Sequence, residues 1–411
     1  MVSPIVQERS PVHVFYGGAH RYKYDTPLKL GSIAVANLHS YAPNALELSK
    51  ALGISGSTEL IENVYERTCL KLETEPVEDF RIDFEDGYGV RPDNEEDAHA
   101  EAAAVELARS FLDRTSPPFT GIRVKPFAAA TRTRADRTLS IFIAKLLEST
   151  GGKLSEQFCV TLPKVSSPAE VAELTEQISR IETENNLDHN TISIEIMVET
   201  PSAIFDANGN AALPAIVAAA QGRCRSAHFG AYDYTAALGI SARHQGLRHS
   251  SCEFARNVML ATLSPLGVRL VDSITPEIPT PVNRGNDLTG QQKRENLESI
   301  QRSWKLHFDN VLYSMSNGFY QSWDLHPNQL VPRFAAVNYF YLDSFEKQAN
   351  RLRNFAKSAS QAALTGSVFD DAASARGVVN FFLRGLNCGA LTDTEVQVAA
   401  GLDTRQLVSM F

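Results

Sequence analysis

The chain has 411 residues, 43% hydrophobic and 21% charged, which is enough to bury the core of a single large α/β domain. Its formal net charge of -9 argues against a nucleic-acid or anionic-membrane surface. No apolar stretch nears the ~20 residues needed to span a bilayer.

The N-terminus, Met1 to Ser10, lacks the apolar centre of a secretory signal. The five cysteines are scattered and form no Cys-x-x-Cys pair, so neither a disulfide framework nor a structural zinc site is expected. A reducing cytoplasm is the simplest compartment for such a chain.

In chain order, Val12–Tyr16 is the first short apolar run; it ends in Gly17-Gly18, and a helical pattern crosses Leu30–Leu52. Residues 53–79 form an insertion, partly helical around Thr58–Leu72. Strands are then expected at Phe80–Glu85, Gly121–Lys125, Phe158–Leu162, Thr191–Val198, Ser226–Phe229, Val268–Ser273 and Asn310–Ser314. Between them lie helical patterns at Asn94–Arg114, Ala135–Ser149, Ala169–Asn186, Leu213–Gln221, Ser251–Leu263 and Gly290–His307. Their apolar positions recur every three or four residues, as in Val171, Leu174, Ile178 and Ile181.

Repeated strand–helix units predict a parallel sheet, and counting the first run gives eight strands, the number that closes a filled barrel. The expected fold is a (β/α)8 TIM barrel with a helical insertion after the first helix. An open doubly wound sheet is the competing topology, but no Gly-rich dinucleotide fingerprint follows any strand. Past His326-Pro327 a long helix is expected from Gln329 to Ser360, then Gly366-Ser367 and a helical segment through Arg384. Residues 1–335 are read as the catalytic barrel and 336–411 as a helical C-terminal extension suited to a lid or a subunit contact.

Polar residues recur where these strands end. Glu199 follows the run Ile194–Val198, and Asp233 follows Ala227–Phe229. From adjacent strands, two such carboxylates can share a hard divalent cation, which removes their mutual repulsion. Oxygen ligation by few protein groups suits Mg²⁺, with Mn²⁺ as a substitute. Glu85 and Asp86 would receive the waters of that ion. The plainer reading is that Glu199 and Asp233 are helix-start carboxylates. Arg123, between Ile122 and Val124, offers a planar fork to a carboxylate or enolate oxygen, or else a salt bridge to Glu85. His20 stands at the rim as a candidate base, with Asp272, Asp324, His326 or a metal-bound hydroxide as alternatives.

Six segments in order resemble the citrate lyase β-subunit-like and 2-oxo-acid (HpcH/HpaI-type) aldolase superfamily of pyruvate/phosphoenolpyruvate-binding barrels. They are Asp83-Phe84-Glu85-Asp86, Ile122-Arg123-Val124-Lys125-Pro126, Leu162-Pro163-Lys164-Val165, Val198-Glu199-Thr200, Phe229-Gly230-Ala231-Tyr232-Asp233-Tyr234 and Leu325-His326-Pro327-Asn328-Gln329. The resemblance implies Glu199 and Asp233 as metal ligands, and Arg123, Glu85, Thr200 and Ala231 as substrate contacts. The expected catalytic set is Arg123, His20 and Asp86, with His20 included for its place at the end of strand one. The activity implied is metal-dependent cleavage or formation of a carbon–carbon bond beside a carbonyl, on a small 2-oxo acid, through an enolate.

Relatives of that superfamily assemble, so a homo-oligomer is implied as well. Several features depart from the pattern, the insertion at 53–79 and the C-terminal tail among them. Strand one reads Phe15-Tyr16-Gly17-Gly18 in place of Phe-Val-Pro-Gly, and Lys125 replaces asparagine. The opening Pro11-Val12-His13…Tyr16, together with the tail, resembles a separate aldolase-like branch. A non-catalytic metabolite-binding barrel, a CoA-thioester lyase and a phosphoenolpyruvate-using phosphotransferase remain alternatives, the last without a Walker loop.

Overall fold

In a computed structural model, which describes residues 9–365 and 372–409, eight parallel strands close into one barrel. The strands are β1 (His13–Gly18), β2 (Asp79–Asp83), β3 (Phe119–Arg123), β4 (Phe158–Leu162), β5 (Ser193–Val198), β6 (Cys224–Phe229), β7 (Arg269–Asp272) and β8 (Gln321–Asp324). Each pairs with its neighbours in sequence, and β1 also pairs with β8, so no edge is left open. Met1 to Glu8 and the expected Gly366-Ser367 break lie outside the described residues.

The helices are α1 (Thr26–Tyr41), α2 (Ala45–Leu52), α3 (Thr58–Thr74), α4 (Asp93–Leu112), α5 (Arg132–Thr150), α6 (Pro168–Glu184), α7 (Pro201–Ile204), α8 (Leu213–Ala219), α9 (Ala231–Ala237), α10 (Ser250–Leu263), α11 (Gly290–Ser316), α12 (Leu330–Thr365), α13 (Ala372–Asn387), α14 (Asp393–Ala400) and α15 (Thr404–Ser409). The single helical pattern expected across Leu30–Leu52 is two helices. Pro43 cannot continue α1, and the Asn44 side chain caps α2 by accepting from the Glu47 amide.

Alternation along the strands sorts the two faces of the barrel. On β2, Phe80 and Ile82 join the apolar layer beneath the helices, as do Val160 on β4 and Ile194 and Ile196 on β5. The intervening residues turn inward, and many of them are polar. Arg81 reaches across the barrel to Glu195 (Nη2 to Oε2, 2.9 Å) and also ion-pairs with Asp79. Glu195 accepts further bonds from Thr161 (2.7 Å) and Ser226 (2.5 Å), and His228 Nε2 lies 2.7 Å from it. Tyr16 completes this interior with its hydroxyl 3.1 Å from His228 Nδ1 and 3.3 Å from Glu195. Buried charges survive only when paired and hydrogen-bonded, and each of these has partners.

Strand eight is not Asn310–Ser314 as expected; that segment is the last part of α11. The buried positions Ile300, Trp304, Phe308, Val311 and Met315 continue the helical spacing through it. The true strand, Gln321–Asp324, has no apolar outer face. Asp324 instead meets His13 (2.7 Å), His307 (2.8 Å) and Arg333 (2.8 Å) in a fully buried cluster that ties β8 to β1, α11 and α12. The division expected near residue 335 falls inside α12, whose Phe334, Ala335 and Tyr341 share a second apolar core with α1, α2, α3 and α11. Among the described residues no helix is long and apolar enough to cross a membrane.

Candidate active site

The carboxyl ends of the strands surround a cavity of about 370 Å³. One side of it is formed by Asp83, Asp86, Arg123, Glu199 and Asp233. The rest of its wall includes Tyr16, Tyr232, Ile274, Trp323 and Leu325. In parallel (β/α)8 barrels, catalytic groups are placed at this end.

Asp83, the last residue of β2, organises the acidic side. Its Oδ1 accepts from Arg123 Nε (2.7 Å) and the Glu85 amide (2.9 Å), and its Oδ2 from Arg123 Nη2 (2.6 Å) and the Gly87 amide (2.7 Å). A buried carboxylate satisfied in this way fixes both the guanidinium and the turn that carries Glu85 and Asp86. The fork of Arg123 is therefore taken up by Asp83, which leaves Nη1, 3.2 Å from Glu85 Oε2 and 3.9 Å from Asp86 Oδ2. The guanidinium also lies over the Tyr16 ring at 4.8 Å. Burial disfavours its charge, but Asp83 and Glu85 outweigh burial and hold Arg123 above its usual range.

Glu199 directly follows β5 and is almost fully buried. Its Oε1 accepts from the Lys164 amide (2.7 Å). Lys164 follows β4 in a left-handed conformation, φ 52°, which costs a non-glycine residue about 1–2 kcal/mol. That conformation carries the lysine amide to Glu199 while its ammonium pairs with Glu85 and reaches Asp86 (3.2 Å). Gly230 is required opposite, because a Cβ there would sit 2.4 Å from Glu199 Oε2.

Asp233 lies in the first turn of α9 rather than at the strand end itself, so it is also a helix-start carboxylate. Burial first, and the charge of Asp233 second, push the Glu199 carboxyl up to about 8. Asp86 is the exposed member of the group. Burial pushes it upward, but Arg123 and Lys164 prevail and hold it below the usual aspartate range.

The other expected residues are placed as follows. Thr200 donates to the Val165 carbonyl (2.7 Å) and caps α7. The Ala231 amide, at the start of α9, donates to Ser273 Oγ (3.0 Å). His20 sits in a short turn after β1, 5.6 Å from the Tyr88 ring and 6.1 Å from the His99 ring, and is not among the cavity-lining residues. Its pKa is lowered by burial, then by Arg91 and Arg21. Asp272 and Asp324 face outward into ion pairs with Arg256 and Arg333, and His326 Nδ1 accepts from the Asn328 amide, so none of the three presents a free base to the cavity. Lys125 is drawn to Glu96 (2.5 Å) and the Phe84 carbonyl (2.9 Å).

Asp83, Lys164 and Tyr16 carry much of this geometry without having been assigned roles from the sequence. The every-second-residue charges Asp79, Arg81 and Asp83 were the available signal, since they mark an inward polar face.

The family model described as "Domain of unknown function (DUF6986)" matches residues 5–411, and the chain belongs to that family. No curated protein matches it. Among solved structures, it is similar to a citrate lyase from Burkholderia xenovorans LB400, with 16% identity over 95% of this chain and 96% of that one and a TM-score of 0.59. A malate synthase from Haloferax volcanii shares 15% identity over 96% and 99% of the two chains, TM-score 0.48. An HpcH/HpaI aldolase from Desulfitobacterium hafniense DCB-2 shares 12% over 77% and 86%, TM-score 0.40. The likeness to the citrate lyase supports the fold alone, a closed (β/α)8 TIM barrel.

Proposed function

We propose that this chain is a divalent-metal-dependent carbon–carbon lyase or aldolase acting on a small 2-oxo acid. The observation that carries this reading is the Glu199 carboxyl, buried beside Asp233 at the mouth of the barrel and pushed up to about 8. A cation between them would offset the repulsion that raises it. The donors are hard oxygens, which suits Mg²⁺ or Mn²⁺. Among the described residues no group of three or more His, Cys, Asp and Glu is arranged for a metal. The fit is therefore to an ion held by Glu199 and Asp233, with its other positions left to water and substrate. Bound there, the metal would supply Lewis-acid stabilisation of negative charge developing on a substrate oxygen.

The chain's own residues divide the remaining work. Arg123 Nη1 donates a charge-assisted hydrogen bond to the substrate carboxylate or oxyanion, while Asp83 keeps the guanidinium from turning. Asp86, anionic and partly exposed at the cavity, is the group placed to take a proton from a substrate hydroxyl. Lys164 holds the Glu85–Asp86 turn and the Glu199 carboxyl in register. His20 is assigned no step.

The test is release of pyruvate from 4-hydroxy-2-oxo acids in the presence of Mg²⁺. Glu199→Ala and Asp233→Ala should each abolish metal-dependent turnover with the fold retained. Arg123→Lys should lose about 100-fold or more, the cost typical of removing one oxyanion donor. Full activity in either carboxylate variant would refute the metal assignment.

A further inference from the structure

The cavity is chemically divided, and the division follows strand order. The ends of β2, β3, β5 and β6 supply its charged side, whereas β7, β8 and β1 supply Ile274, Trp323, Leu325 and Tyr16, joined by Tyr232 from α9. Tyr16 turns its hydroxyl into the barrel, onto His228 and Glu195, so the phenol oxygen is already engaged there. Its ring packs against Trp323 with centroids 4.7 Å apart, giving that side a continuous aromatic surface.

Among the described residues that line this half there is no Lys, Arg or His. Arg123, the one cation among the described residues lining the cavity, has Nε and Nη2 committed to Asp83. A second carboxylate or a phosphate on the far end of a substrate would therefore meet no counter-charge, only rings, aliphatic carbons and the neutral polar groups of Ser273, Tyr232 and Trp323. A charge desolvated without a partner is strongly disfavoured. An uncharged ring or branched chain would instead be favoured by burial against this surface. A cavity of about 370 Å³ has room for a 2-oxo acid head and one such group.

We propose that the substrate of this site is a 2-oxo acid, or the aldol made from one, whose distal group is uncharged and apolar, such as a phenyl ring. The inference rests on the reading of the charged side as a metal and oxo-acid site, and it goes on to select among oxo acids.

The experiment uses the full chain with Mg²⁺ and three probes, titrated by calorimetry. Oxalate reports the head site alone, phenylpyruvate adds an apolar tail, and 2-oxoglutarate adds an anionic one. Oxalate should bind, and phenylpyruvate should bind at least about tenfold tighter than 2-oxoglutarate. Tyr232→Ala should weaken phenylpyruvate while leaving oxalate unchanged. Ile274→Arg should reverse the preference towards 2-oxoglutarate. If oxalate binds but 2-oxoglutarate equals or exceeds phenylpyruvate in the unaltered protein, the inference is overturned and the lyase reading stands. If oxalate itself fails to bind with Mg²⁺, both fall.

Discussion

Glu199 is a buried carboxyl set beside a second one, Asp233. An unfolded glutamate ionises near 4.5, whereas the folded carboxyl is pushed up to about 8 by burial and by Asp233. The folded state thus keeps a proton that the unfolded state gives up, and stability declines as pH rises from 4.5 towards 8. Glu199→Gln keeps an oxygen for the Lys164 amide and cannot ionise, so it should remove this decline. Without metal it should be about 3 kcal/mol more stable than the parent at pH 7, measured by urea unfolding. No gain would mean that the carboxyl is not strained. Metal binding must expel the same proton, so Mn²⁺ affinity should weaken about tenfold for each pH unit below 8 and level off above it. Calorimetric titration between pH 6 and 9 checks this, and a flat profile would contradict it. The sequence exposed Glu199 and Asp233 because each follows an apolar run. Asp83 and Lys164 stand in the same strand-end segments, but their roles were not legible there, because they depend on a guanidinium from the next strand and on a left-handed backbone.

Among the elements, β4 was legible because both its ends are marked, by Phe158 and by Leu162-Pro163. β8 was not. Its inner face closes a polar barrel and its outer face holds an ion cluster, so Gln321–Asp324 shows neither an apolar run nor an apolar alternation. The better strand-like pattern a few residues earlier belonged to α11, where the buried positions are set by the helix surface. The cluster predicts a large local cost. Asp324→Ala would leave Arg333 buried without its anion, together with His13 and His307, and should destabilise by about 3–5 kcal/mol. A loss below about 1 kcal/mol in urea unfolding would show that the cluster does not hold β8 to α12. The β3–β4 pair makes a second prediction, since a Cβ on Gly121 would lie 2.1 Å from the Cys159 carbonyl oxygen. Gly121→Ala should therefore force the strands apart and cost about 1–3 kcal/mol, with the midpoint of unfolding as readout.

At the level of the whole molecule, the barrel closes around charge instead of grease. Arg81, Glu195, Asp79 and His228 fill its middle, Tyr16 and Trp323 cap them, and the carboxylates of the rim stand above. That layering leaves one cavity wall acidic and the other aromatic, and the proposed chemistry needs the acidic wall to hold an ion. The most direct measurement is a crystal of the full chain grown with Mn²⁺ and oxalate, with anomalous scattering recorded at the manganese edge. The account predicts a single peak in the cavity, bonded to one carboxylate oxygen of Glu199 and one of Asp233, with oxalate on the Arg123 side. Manganese bound elsewhere, or a cavity in which Glu199 still touches only the Lys164 amide, would contradict it.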